Sequence, residues 1–153
     1  MSFNNKRAPF TQVSMIELSH STTQSISTGG IVKFNTQRES HTSGVSVDAS
    51  GNISLNTAYK YWVQASIDIN RGTTTSSWEF AFTDGTGTAL DYTDGAFVAQ
   101  WAYGGTTTFT NATFTATYVS ESPVSTLRLK AVNAISGSTL NVGTKILIIE
   151  VQP

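Results

Sequence analysis

Few residues in this 153-residue chain could do chemistry, and they are scattered. It has two histidines and no cysteine. His20 sits in Leu-Ser-His-Ser-Thr and His41 in Glu-Ser-His-Thr-Ser. A histidine beside serines supplies a nucleophile and its base, but such a triad is defined by geometry, and serines flank almost everything here. Both histidines read as solvated loop residues. The absence of cysteine excludes a disulfide framework, a zinc–thiolate site and a thiol nucleophile. Three acids, Asp84, Asp91 and Asp94, fall within TDGTGTALDYTDG. Calcium takes several oxygen ligands, yet the spacing is not that of an EF-hand and no glutamate closes it. Two Asp-Gly turns flanking a short strand over 88–92 account for the same residues. Gly85-Thr86-Gly87 lacks the lysine and the helix of a phosphate-binding loop. Glu79 and Glu150 are lone acids on strands and are expected at the surface. Trp101, Tyr103 and Tyr92 could stack on a sugar, but Trp101 is in phase with Phe97 and Ala99, which points it to the core. No catalytic residue, no cofactor and no metal is expected, and the chain reads as a non-enzyme.

The elements that hold these residues are strands. The dominant signal is alternation with period two. Tyr59, Tyr61, Val63, Ala65, Ile67 and Ile69 share one face of a strand, and Lys60, Trp62, Gln64, Ser66, Asp68 and Asn70 share the other. The first set is expected to face the core, because successive side chains point to opposite sides. Trp78, Phe80 and Phe82 repeat the pattern, as do Phe97, Ala99, Trp101 and Tyr103. So do Phe114, Ala116 and Tyr118, and Leu127, Leu129 and Ala131. Shorter strands are expected over 12–18, 30–36, 45–47 and 53–55, and a last one over 144–152. Turn-forming pairs such as Ser50-Gly51-Asn52 and Gly104-Gly105 separate them. Short strands at this spacing predict an all-β sandwich or barrel. The last strand is unusual, with Ile146, Leu147, Ile148 and Ile149 consecutive. Such a run marks a strand buried on both faces, either by a neighbouring subunit or as a central strand covered by a loop.

Composition narrows the partners. Charged residues are 12% of the chain and the net charge is -1, which argues against nucleic acid and against an anionic membrane. Ser and Thr exceed a quarter of the sequence; Thr suits exposed strand faces and Ser suits turns. The first thirty residues hold no apolar stretch long enough for a signal peptide, and no segment approaches a membrane span. Asn52-Ile-Ser and Asn111-Ala-Thr match the glycosylation pattern by chance. Residues 1–10, MSFNNKRAPF, read as a locally basic arm ahead of a domain at 11–153.

Four stretches carry a resemblance. Gln24-Ser25-Ile26 precedes a glycine pair and Val32-Lys33-Phe34-Asn35, and a variable loop follows. Gly51-Asn52-Ile53-Ser54-Leu55 leads into TAYKYWVQASIDI. Leu127-Arg128-Leu129-Lys130 leads through Gly137-Ser138-Thr139-Leu140 to the last strand. Together they resemble the jelly roll of the tumour necrosis factor and complement globular-head type, in the versions found in bacteriophage virion proteins. The resemblance implies an antiparallel two-sheet sandwich that forms a homotrimer, with Trp62, Gln64, Ile146, Ile148 and Tyr118 at the threefold interface. It implies a trimeric capsid decoration or head-fibre protein on the virion surface. Phe3, Lys6, Arg7 and Phe10 would anchor it to the major capsid protein or another virion protein. The alternative is the receptor-binding tip of a tail fibre. That tip would engage host glycan through loops that include Arg71, Asp84, Asp91 and Asp94.

Overall fold

The computed structural model describes residues 12–70, 78–90, 96–97, 99–101, 111–120, 123–134 and 137–153. Among them there is no helix, and all the strand pairings are antiparallel. The strands are β1 (Val13–Ser19), β2 (Gln24–Ser25), β3 (Thr36–Glu39), β4 (Ser46–Val47), β5 (Ile53–Ser54), β6 (Lys60–Asn70) and β7 (Trp78–Asp84). They continue with β8 (Ala96–Phe97), β9 (Ala99–Trp101), β10 (Asn111–Ser120), β11 (Thr126–Asn133), β12 (Thr139–Leu140) and β13 (Lys145–Val151). The larger sheet runs β2-β12-β6-β13-β1-β3, with β10 on the other side of β6 and β8 beyond it. The smaller runs β4-β5-β11-β7-β9.

The long alternating strand β6 organises the larger sheet. Its inward residues Tyr61, Val63, Ala65, Ile67 and Ile69 are all buried, as the period predicts. They meet Ile16 and Leu18 of β1, Ile146 and Ile148 of β13, and Ala116 and Tyr118 of β10 in one core. The smaller sheet contributes Ile53, Trp78, Phe80, Phe82, Leu127, Leu129 and Ala131. The rings of Phe82 and Tyr118 meet across the sandwich at 6.2 Å between centroids. Strand β7 is buried on both faces around Ala81 and Thr83.

Three expected strands differ. The run from Phe97 to Trp101 is divided, with Phe97 on β8 of the larger sheet and Ala99 and Trp101 on β9 of the smaller. Of the strand expected over 30–36, residues 30–35 form only an isolated bridge, at Ile31 with Lys130, and Thr36 already opens β3. This segment bonds to β11 through Val32 N–H to the Leu129 carbonyl at 2.9 Å, then to β1 through Asn35 N–H to the Ser19 carbonyl at 3.0 Å. It crosses from one sheet to the other, so no continuous ladder can form along it. The strand expected at 88–92 shows one bridge, Thr83 with Ala89, and its end lies outside the described residues.

Candidate functional site

The outer face of the larger sheet carries the concentration of apolar side chains that a polar chain leaves uncovered. Strand register builds it. Met15 of β1 stands opposite Ile149 of β13, Ile149 opposite Trp62 of β6, and Trp62 opposite Val119 of β10. Beside this line Val13 stands opposite Val151, which stands opposite Lys60. On the other side Glu17, Leu147, Gln64 and Thr117 form the next line, with Arg38 of β3 opposite Glu17. Met15 is 51% and Val119 41% exposed, while Trp62, Leu147, Ile149 and Val151 are half-buried. Seven apolar side chains thus lie together on one face. Contiguous apolar surface of this kind marks an interaction site, whereas single exposed hydrophobic residues are ordinary.

Of the residues assigned to an interface, Trp62 and Gln64 point outward. Ile146, Ile148 and Tyr118 do not. They are buried within the single chain, because Ile146 and Ile148 stand opposite Leu18 and Ile16, and Tyr118 opposite Val63, on the inward phase. The outward residues of the same strands are Leu147, Ile149 and Val119. The period of two was the signal for them, once the inward phase is set by Ile16 and Val63.

A second cluster closes one end of the sandwich. Glu150 follows Ile146 and Ile148 on the inward phase and is fully buried, contrary to the surface position expected. Tyr61 Oη–H donates to its Oε2 at 2.8 Å. Gly44 N–H donates to both carboxylate oxygens, at 2.8 and 3.1 Å. Gln152 Nε2–H donates to Oε1 at 2.8 Å. The loop before β4 is bound here further by Ser14 Oγ–H to the His41 carbonyl at 2.6 Å and by Gln152 Nε2–H to the Thr42 carbonyl at 3.2 Å. Burial, then the bond to the Glu150 carboxylate, pushes the Tyr61 phenol above its ordinary range. The arrangement is a clamp between the last strand and the loop. A carboxylate whose oxygens are taken by these donors is poorly placed to act as a base.

The other candidates resolve separately. Asp84 Oδ1 accepts from Thr86 N–H at 2.8 Å, Thr86 Oγ1–H at 2.7 Å and Thr88 N–H at 2.9 Å. The Thr86 hydroxyl first, and the Thr88 amide next, hold its carboxyl below the usual range. It caps a turn. Asp91, Asp94 and Arg71 lie outside the described residues, as do Phe3, Lys6, Arg7, Phe10, Tyr92 and Tyr103. Trp101 is placed on β9, but its side chain is not among those described. Glu79 is half-buried. His41 is exposed, but His20 is buried, contrary to expectation, with Nδ1 2.5 Å from the Thr22 carbonyl and no partner for Nε2. Among the described residues, no group of three or more His, Cys, Asp or Glu side chains is placed to hold a metal ion.

Murine APRIL at pH 8.5 superposes with a TM-score of 0.60 at 12% identity, over 91% of this chain and 99% of that one. Murine APRIL at pH 8.0 gives 0.56 at 10% identity, over 91% and 98%. The fold is a jelly roll of the tumour necrosis factor type. Vertex protein P5 of PRD1 is more distant in shape, with a TM-score of 0.45 at 15% identity over 92% and 95% of the two chains. No protein-family model and no curated protein matches the chain. In this jelly roll the apolar line Met15–Ile149–Trp62–Val119 lies on the outside of the sheet formed by β1, β13, β6 and β10.

Proposed function

We propose that this chain is a non-enzymatic structural protein of a bacteriophage virion. It works as a homotrimer, a capsid decoration or head-fibre protein on the virion surface. It closes through the outer face of its larger sheet and attaches through residues 1–10. The observation that carries the reading is the line Met15–Ile149–Trp62–Val119, apolar and half-buried to exposed on the outer face among the described residues. Taking apolar surface out of water contributes about 25 cal/mol per Å², and a ring of three copies buries the same patch three times. The virion context rests on the likeness of the four sequence stretches quoted above to phage jelly rolls.

Light scattering on the purified protein tests the assembly. The expected mass is that of three subunits. Ile149→Asp is expected to give the one-subunit mass with an unchanged far-ultraviolet spectrum, since the residue points away from the core. A wild-type protein at one-subunit mass would sink the proposal. Attachment is tested on particles: deleting residues 1–10 is expected to leave capsids without the protein. Specific binding on a glycan array, with capsids that keep the truncated protein, would shift the reading to a receptor-binding tip.

A further inference from the structure

We infer that the Glu17–Lys145 ion pair on the outer face becomes buried between copies of this chain, and sets how they meet; this rests on the trimer reading above. The first step is area. Strands lie about 4.8 Å apart and outward residues recur about every 6.8 Å, so each outward position tiles about 33 Å² of sheet. The seven apolar positions therefore tile about 230 Å². A specific interface buries roughly 800 Å² per partner, and a ring asks two such contacts of each subunit. The apolar positions alone are too small. The contact must run on into the neighbouring lines of the same face.

The neighbouring lines contain the pair. Glu17 stands opposite Leu147, and Lys145 stands opposite Ser19 one line further. Lys145 Nζ lies 3.5 Å from Glu17 Oε2, and the two side chains are 52% and 36% exposed. A shallow, open depression of about 350 Å³ at Glu17 is lined by Met15, Leu147, Arg38, Glu39 and Ser40. It has room for a side chain of a neighbouring copy. Arg38 of β3 stands opposite Glu17 on its other side, while Gln64, Ser66 and Thr117 beside the pair are uncharged. A charge entering an interface is tolerated when it arrives already paired, and is strongly unfavourable when its partner is removed. In solution the same exposed pair contributes little.

The test is association measured by sedimentation equilibrium on the full chain. Glu17→Lys is expected to weaken trimer formation about a hundredfold or more. Adding Lys145→Glu in the same chain is expected to restore it to within about fivefold. Lys145 is also expected to resist amine-reactive labelling in the wild-type trimer, and to react in the trimer-breaking Ile149→Asp variant. Both variants keep their thermal midpoints as monomers if the pair is exposed there, which separates misfolding from lost assembly. Four results overturn the inference. Three of them are Glu17→Lys trimerising within threefold of wild type, a swap that fails to restore a weakened variant, and Lys145 labelling freely in a confirmed trimer; each of these leaves the trimer reading standing. A wild-type protein that stays at one-subunit mass removes both.

Discussion

At the residue scale the buried carboxylate of Glu150 is the group with most at stake. It is satisfied by Tyr61, Gly44 and Gln152 rather than by a cation. Tyr61→Phe removes a donor from the carboxylate and the acceptor that Tyr61 Oη offers the Asn56 N–H at 3.0 Å. Its expected cost is about 1–3 kcal/mol in urea unfolding. The same phenol makes stability depend on alkaline pH. Its folded-state pKa is raised, so the folded chain keeps a proton that the unfolded chain loses near pH 10. That contribution is complete below about pH 10 and fades as pH rises further, because the unfolded state then binds fewer protons. Tyr61→Phe is expected to flatten this alkaline limb in pH-dependent unfolding. Asp84 works at the other end. Its carboxyl is held low by Thr86 and Thr88, so its contribution is present above about pH 4 and is lost as pH falls. Asp84→Asn is expected to lower stability modestly at neutral pH and to leave acid unfolding less steep.

At the element scale the last strand shows how one pattern serves two surfaces. Ile146, Ile148 and Glu150 face in, and Leu147, Ile149 and Val151 face out. Ile148→Ala is expected to cost about 2–5 kcal/mol, because the site is fully enclosed and leaves a cavity. An outward change at Ile149 is expected to spare folding and alter association only. The turn before β5 gives a sharper case. Gly51 has φ of +85°, and a Cβ there would stand 2.4 Å from the Val32 carbonyl oxygen. Gly51→Ala is expected to lower stability by more than the ~1–2 kcal/mol of a left-handed residue alone, read as a lower urea midpoint. Asp48 beside it holds the turn by accepting from Asn52 Nδ2–H at 2.6 Å and from Ser50 N–H at 2.8 Å. The long strands were legible because alternation is a local signal: Lys60–Asn70 matches its expected span to one residue. The crossing at 30–36 was not legible. Its partners, β11 and then β1, are decided by where two sheets meet.

At the scale of the whole molecule, both the first and the last strands lie at the centre of the larger sheet, paired to one another from Val13 with Val151 to Ser19 with Lys145. The described chain therefore starts and ends at one place, beside the apolar line, where Gln152 N–H donates to the Gln12 carbonyl at 2.8 Å. On the threefold reading proposed above, the three copies of residues 1–10 would join their sheets at the same end. Three weak attachments held together gain avidity. One truncated arm in a mixed trimer is accordingly expected to weaken capsid retention moderately, and three to abolish it, in a co-expression titration.

The all-β class, the long alternating strands and the inward face of β6 were determined by the sequence alone, because side-chain alternation is a property of neighbouring residues. The phase of the last strand was not. A run of four apolar residues fits either phase, and only pairing with β1 and β6 sends Ile146 and Ile148 inward and leaves Leu147 and Ile149 outside. Burial of Glu150 and His20 was likewise decided by tertiary structure. Each is enclosed by segments distant in sequence, Glu150 beneath the loop at Gly44 and His20 against the ring of Phe34. Burial of a polar group depends on donors and walls that no local pattern can specify.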